Sequence, residues 1–266
     1  MTQTTLTQIN VYPVKSLGGY SAAVANVETR GLQYDRRWML VNGEGRFLSQ
    51  RDLPRMALIT TAVEADGLTL HAPDFAPLRV PLHSPGEANE TVSVWRSVCQ
   101  AVPVGAEADR WFTDYLHVPC RLVFMPDETR RLVNPNYSAG EGIVSFADGY
   151  PLLLLGEASL DDLNTRLEAP VPMNRFRPNL VVSGGAAYAE DGWAKVRIGE
   201  ATFHGVKSCD RCGLTTVDQA TGEPAGPEPL KTLASYRLKD QKVLFGQMLI
   251  PDGTGTVRIG DAVEVL

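Results

Sequence analysis

Apolar and polar residues alternate through much of the first hundred residues, the two-residue period of strands that bury one face. Gln8-Ile-Asn-Val-Tyr-Pro-Val-Lys15 shows the pattern first and runs into Lys15-Ser-Leu-Gly-Gly19, whose glycines predict a loop. Residues 38–41 and 46–48 flank Asn42-Gly-Glu-Gly45, a hairpin signal with Gly available for positive φ. A second hairpin is predicted from 58–63, through Asp66-Gly67, onto 68–71. Thr91-Val-Ser-Val-Trp95 and Cys99-Gln-Ala-Val-Pro-Val104 read as two more strands. Short strands with frequent turn signals predict a barrel or a sandwich.

The helical period is rarer. Residues 107–117 place Trp111, Phe112, Tyr115 and Leu116 on one face, and Pro119 ends the segment. Residues 157–167 place Leu160, Leu163 and Leu167 on one stripe, with Ser159 and Asp162 spaced as a capping box. Leu152-Leu-Leu-Leu155 predicts a buried strand or a helix start. The polar stretch from 125 to 142, with Pro126, Pro135 and two glycines, suits a domain boundary or an active-site loop. Strands return at 180–183, ended by Gly184-Gly185, and at 195–198, turning at Gly199-Glu200 onto 201–204. Residues 256–259, Gly260-Asp261 and 262–266 repeat that last pattern. The fold class is therefore mainly β with a few helices (β/α+β).

Composition narrows the partners. The 266 residues suffice for one large domain or two modest ones. A net charge of −6, and no basic run beyond pairs such as Arg36-Arg37 and Arg130-Arg131, argue against nucleic acid and anionic membranes. Any anion site must be local, built from a few placed cations. No stretch approaches the roughly 18 apolar residues of a membrane span. The opening residues lack the charge and apolar run of a targeting signal, so a cytoplasmic location is expected. Four cysteines are too sparse for a secreted disulfide framework.

Chemistry concentrates in Lys207-Ser-Cys-Asp-Arg-Cys-Gly-Leu-Thr-Thr-Val-Asp218. In a cytosolic protein a C-x-x-C pair points to metal or redox chemistry. The neighbouring Arg211 guanidinium favours the thiolate, which is the form that binds a soft metal. Three other readings compete. A structural zinc site wants about four ligands, and Cys99 and Cys120 are distant and set in apolar strand contexts. A thioredoxin-like dithiol would open a helix, whereas Thr215-Thr-Val217 is β-prone. Two inert buried thiols would be ill matched with flanking Lys, Asp and Arg, since charges are seldom buried. The histidines are scattered singly and read as strand or helix-end residues.

Cys209-Asp-Arg-Cys-Gly-Leu-Thr-Thr-Val-Asp218, Gly222-Glu223, Glu228-Pro-Leu-Lys-Thr-Leu-Ala-Ser-Tyr-Arg237 and Phe245-Gly-Gln247 resemble the MOSC domain. Val11-Tyr-Pro-Val-Lys-Ser16, Gly31-Leu-Gln-Tyr-Asp-Arg-Arg-Trp38, residues 156–167 and Phe176-Arg-Pro-Asn179 are similar to the same family. These blocks run in order over nearly the whole chain, as in the mitochondrial amidoxime-reducing components and their bacterial counterparts. The resemblance implies an N-terminal MOSC β-barrel domain at 1–122 packed on a C-terminal MOSC β-barrel domain at 123–266. It implies a molybdenum cofactor (Mo-molybdopterin) between them.

Carried over by position, the resemblance makes Cys212 the molybdenum ligand and places Lys15, Ser16 and Arg36 on the cofactor's phosphate. Placed cations and a hydroxyl suit a buried phosphate, and a guanidinium can bind it bidentately. Arg175, Arg177 and Asn179 match the family's second cofactor-binding segment, where planar polar groups suit a pterin. Arg211 flanks the ligand and is expected at the cofactor. Asp148, in Ser145-Phe-Ala-Asp-Gly-Tyr-Pro151, matches an acidic residue near the metal, where a carboxyl could hold water or pass a proton. Its local context alone reads as a turn Asp before Gly149.

The implied activity is reduction of small N-hydroxylated or N-oxygenated compounds, with Cys212 and Asp148 at the reacting centre. No four-cysteine cluster pattern remains, so electrons are expected from a separate electron-transfer protein. The alternative is a carrier of cofactor or sulfur that catalyses no reduction.

Overall fold

The computed structural model describes residues 3–83, 90–134 and 142–266. Within the polar 125–142 stretch, residues 135–141 lie outside the described residues. The fold is mainly β, with α-helices at Ala106–Leu116, Glu157–Thr165 and Leu230–Tyr236 among the described residues. None of the described helices is long and apolar enough to cross a membrane.

The N-terminal hairpin expected at 58–71 forms, and the two strands read at 91–95 and 99–104 pair as a second hairpin whose turn takes Trp95 out of the first strand. Thr60–Glu64 pairs antiparallel with Gly67–His71, and Glu90–Val94 with Ser97–Pro103. Trp38–Val41 turns through Asn42 and Gly45 so that Val41 bridges Phe47. Trp38–Val41 is buried on both faces, and its period of two divides its side chains between two cores. Trp38 and Leu40 pack with Phe112, Tyr115 and Leu116 of the first helix, while Met39 and Val41 pack with Val92, Val123 and Phe146.

Among the described residues, a nine-stranded sheet organises the rest of the chain. Its order is Tyr20–Ala22, Thr5–Val11, Leu180–Ser183, Leu152–Gly156, Lys242–Pro251, Ala201–Asp210, Lys195–Ile198 and Val263–Val265, with Leu238–Lys239 paired to Lys242–Pro251. Leu152–Gly156 is the buried strand of the two alternatives that its apolar run allowed, with Leu152 and Leu154 on one core and Leu155 on another. The first strand of the chain belongs to this sheet: Leu6, Ile9 and Val11 share a core with Leu154, Leu180 and Phe203. Strand Val24–Glu28 likewise pairs with Gly255–Arg258 near the other end of the sequence.

Three local expectations change. Ser159 does not cap its helix, because the N-cap is Gly156; its hydroxyl donates to buried Glu190 and accepts from the Tyr188 N–H at 2.7 Å. Asp162 instead receives Arg166 and the Tyr188 hydroxyl. The C-terminal pattern 256–266 is no hairpin, since Gly255–Arg258 and Val263–Val265 pair with Val24–Glu28 and Lys195–Ile198 respectively. The ten-residue strand Lys242–Pro251 lacks a two-residue alternation, because neighbours cover both its faces and Gly246 interrupts it with φ 82°. It pairs with Ala201–Asp210 through two register shifts, and bulges of this kind re-aim side chains beside functional sites. At the first shift only glycine fits, because a Cβ on Gly205 would overlap the Trp193 carbonyl oxygen.

Candidate functional site

Tyr12–Ser16 and Asp35–Trp38 run side by side, tied by Arg36 N–H to Tyr12 O at 2.8 Å and Lys15 N–H to Trp38 O at 2.8 Å. They meet the segment around Arg177–Asn179 and the loop around Phe146–Asp148 at a cleft of about 280 Å³, near the lower end of small-molecule sites. Lys15, Ser16, Arg36, Asp148, Arg177, Asn179, Arg211 and Cys212 all line it, so residues spread over nearly 200 positions converge on one space. Arg175 does not line it. Its Nε donates to Thr215 O at 2.8 Å and its Nη2 to Glu228 O at 3.2 Å, so it braces the turn behind Cys212.

Three of the lining residues, Ser16, Arg36 and Arg177, hold left-handed backbone at φ 64°, 49° and 55°. Such non-glycine conformations cost roughly 1 kcal/mol each and gather at ligand sites. The cleft's charge also runs against that of the chain. Five cations (Lys15, Arg36, Arg177, Lys207, Arg211) face two carboxylates (Asp148, Asp210) in a protein of net charge −6.

The two arginines at one end differ. Arg36 Nη1 donates to buried Asp35 at 2.6 Å and to Asn179 Oδ1 at 2.8 Å. Asn179 in turn donates to Asn10 O and Asp35 Oδ1, so this network is satisfied within the chain. Burial pushes the Asp35 carboxyl up against the pull of Arg36. Arg177 is buried, and among the described residues its guanidinium lies 4.3 Å over the Tyr12 ring with no hydrogen-bond acceptor. Burial pushes Arg177 down to about 10, which leaves it charged at neutral pH.

Lys15 and Asp148 form an ion pair. The buried Nζ donates to Phe146 O at 2.8 Å and to Asp148 Oδ1 at 2.5 Å. Burial lowers the Lys15 ammonium, with Asp148 opposing. Burial also acts to raise the Asp148 carboxyl, but Lys15, Arg51 and the Trp95 indole outweigh it and hold the group well below the usual carboxylate range. Half of the Asp148 side chain still faces open space. Asp148 is therefore an anion at rest and has no proton of its own to give. The loop that carries it is held by Arg131, which donates to Ser145 O, Ala147 O and Asp148 O, and by Phe146 in the N-terminal core.

The two cysteines of the C-x-x-C pair are unlike. Cys209 is the penultimate residue of strand Ala201–Asp210, is buried, and accepts from Arg211 Nη1 at 3.0 Å. Burial pushes its thiol up despite Arg211. Cys212 sits at the N-cap of the Gly213–Thr216 turn, half-buried, and its sulfur accepts from Arg51 Nη1 at 3.4 Å. Among the described residues no group of three or more His, Cys, Asp or Glu side chains could hold a metal, so the four-ligand zinc arrangement has no counterpart there. Sequence reasoning missed Arg51, Trp95, Asp35 and Arg131; of these, Arg131 had a signal as half of a basic pair and Asp35 as part of the block 31–38.

Residues 3–119 match the MOSC N-terminal beta barrel domain and residues 141–264 the MOSC domain. The chain is 38% identical to mitochondrial amidoxime-reducing component 1 of Mus musculus, over 98% of this chain and 82% of that one. It is 36% identical to the Homo sapiens protein of the same name, over 98% and 83%. It is also 35% identical to the molybdenum cofactor sulfurase of Oryza sativa subsp. japonica, over 92% of this chain but 32% of that protein. Matched end to end by both domains and by these relatives, the chain belongs to the family that joins an N-terminal MOSC β-barrel domain to a MOSC domain, the family of the amidoxime-reducing components.

Proposed function

We propose that the protein is a molybdenum-cofactor oxidoreductase that reduces N-hydroxylated compounds, with Cys212 as the metal's protein ligand and electrons from a separate carrier. The observation that carries this reading is the convergence of an accessible thiol with Lys15, Arg177 and Arg211 in one locally cationic cleft. The donor set fits the group. A thiolate is the soft ligand, the Arg177 guanidinium has no acceptor among the described residues and suits a phosphate, and the buried Arg211 Nε has no partner among them either. Arg36 and Asn179 would act mainly by holding the backbone around Arg177 in place.

When bound, the molybdenum cofactor would supply the two-electron redox chemistry. The chain binds and orients the substrate and manages two protons: one leaves with the hydroxyl group as water and the other gives the nitrogen its N–H. Asp148 Oδ1, held by Lys15 Nζ at 2.5 Å and open to solvent on its other side, is the atom that would hold the water or substrate N–H through which protons arrive.

The test is turnover of benzamidoxime by protein expressed in a molybdopterin-competent host. The expected result is no turnover with NADH alone and turnover once a small redox partner or dye is supplied. Asp148→Asn should lower the rate about a hundredfold with molybdenum content unchanged. Holoprotein that reduces no N-hydroxylated compound with any donor would return the chain to a cofactor or sulfur carrier.

A further inference from the structure

The hairpin Glu90–Val94/Ser97–Pro103 closes through only Trp95 and Arg96, since Val94 pairs with Ser97. Two-residue loops of this kind need positive φ and normally take glycine or asparagine. Here a tryptophan holds φ 57° and leaves 54% of its surface exposed. A bulky residue in left-handed backbone, with its ring outside the core, is an outlier on both counts.

The indole is nevertheless fixed. Phe47 packs against it at 5.1 Å, the Arg51 guanidinium lies 4.4 Å over its ring, and its indole helps hold the Asp148 carboxyl in its charged form. Arg51 in turn donates to the Cys212 sulfur. Neither Trp95 nor Arg51 lines the cationic cleft, whereas Cys212 and Asp148 do. The sulfur and the carboxylate are thus approached from two directions: from the anion-binding cleft, and from a wall supplied by the N-terminal barrel.

We infer that Trp95 and Arg51 form, with Asp148, the substrate-recognition wall, and that it selects planar aromatic amidoximes. The wall offers three complementary groups: a half-open indole for an aryl ring, a carboxylate oxygen for the amidine N–H, and a guanidinium for the oxygen of N–OH. Trp95 is a specificity-determining residue, and Arg51 positions the N–O bond beside Cys212. This rests on the amidoxime-reductase reading above.

The experiment uses the full-length holoenzyme with a dye donor. Trp95→Gly suits the left-handed turn and removes only the ring, so the fold is kept. The expected result is a tenfold or greater rise in KM for benzamidoxime with kcat within twofold, no matching change for acetamidoxime, and recovery in Trp95→Phe. Calorimetric titration with benzamidine, the product amidine, should show the same tenfold loss, with molybdenum content unchanged. Val98→Ser, at an exposed position on the same hairpin, should behave as wild type. Wild-type KM and benzamidine affinity in Trp95→Gly would overturn the inference, as would loss of molybdenum in that variant. If the wild type binds benzamidine through Trp95 but reduces nothing, recognition stands and the reductase reading fails. If it neither binds nor reduces, both fail.

Discussion

At the Arg36 end of the cleft, polar side chains are locked by the chain itself: Asp35, Arg36 and Asn179 satisfy one another and the Asn10 carbonyl. At the Cys212 end the sulfur sits on an open turn and accepts from Arg51. The first end is rigid and pays for left-handed backbone at Ser16, Arg36 and Arg177; the second leaves its reactive atom half-exposed. The contrast suits a site in which one end must present a fixed shape and charge while the other must accept a ligand and let a substrate approach.

The largest expected effect lies at the open end. Cys212→Ser should reduce molybdenum from about one per chain to background, because a hydroxyl is a poor soft ligand. Cys209→Ser should keep most of it, as measured by metal analysis after expression in a competent host. Equal losses would erase the distinction between the two thiols.

The rigid end should respond in stability. Arg36→Ala strands the Asp35 carboxylate, which is 1% exposed, and should cost roughly 3–5 kcal/mol in urea unfolding. Arg177→Ala breaks no hydrogen bond among the described residues, so stability should stay within about 1 kcal/mol while pterin retention falls. Equal stability losses in the two variants would show that both arginines are structural.

A smaller effect tests the brace between the ends. Arg175→Leu removes the bonds to Thr215 O and Glu228 O and should cost about 1–2 kcal/mol, with a partial loss of molybdenum that follows the stability change. Full loss of pterin at unchanged stability would return Arg175 to the role that its position in the family suggests.

The hairpin at 60–71 was legible from its Asp66-Gly67 turn, and the strands at 90–94 and 97–103 from their alternation, although Trp95, read as a strand residue, lies in the turn that joins them. Lys242–Pro251 was not, because its burial on both faces removes the period. The residues of the site were legible through resemblance, whereas their division of labour was not. Nothing in the spacing of Arg36 and Arg177 says that one faces a buried aspartate 2.6 Å away and the other, among the described residues, a ring with no acceptor.

By itself the sequence determined the β-rich class, the locations of the turns, the family, and the set of side chains able to do chemistry. These depend on local periodicity, on backbone preferences at Gly and Pro, and on motifs that survive as strings of residues. Tertiary structure alone decided that Thr5–Val11 joins the C-terminal sheet, that Asp148 is an anion paired with Lys15, and that Arg51 and Trp95 reach the Cys212 region from the other half of the chain. Those outcomes depend on contacts between residues 100 or more positions apart, on the burial that shifts a carboxyl, and on which neighbour claims each donor.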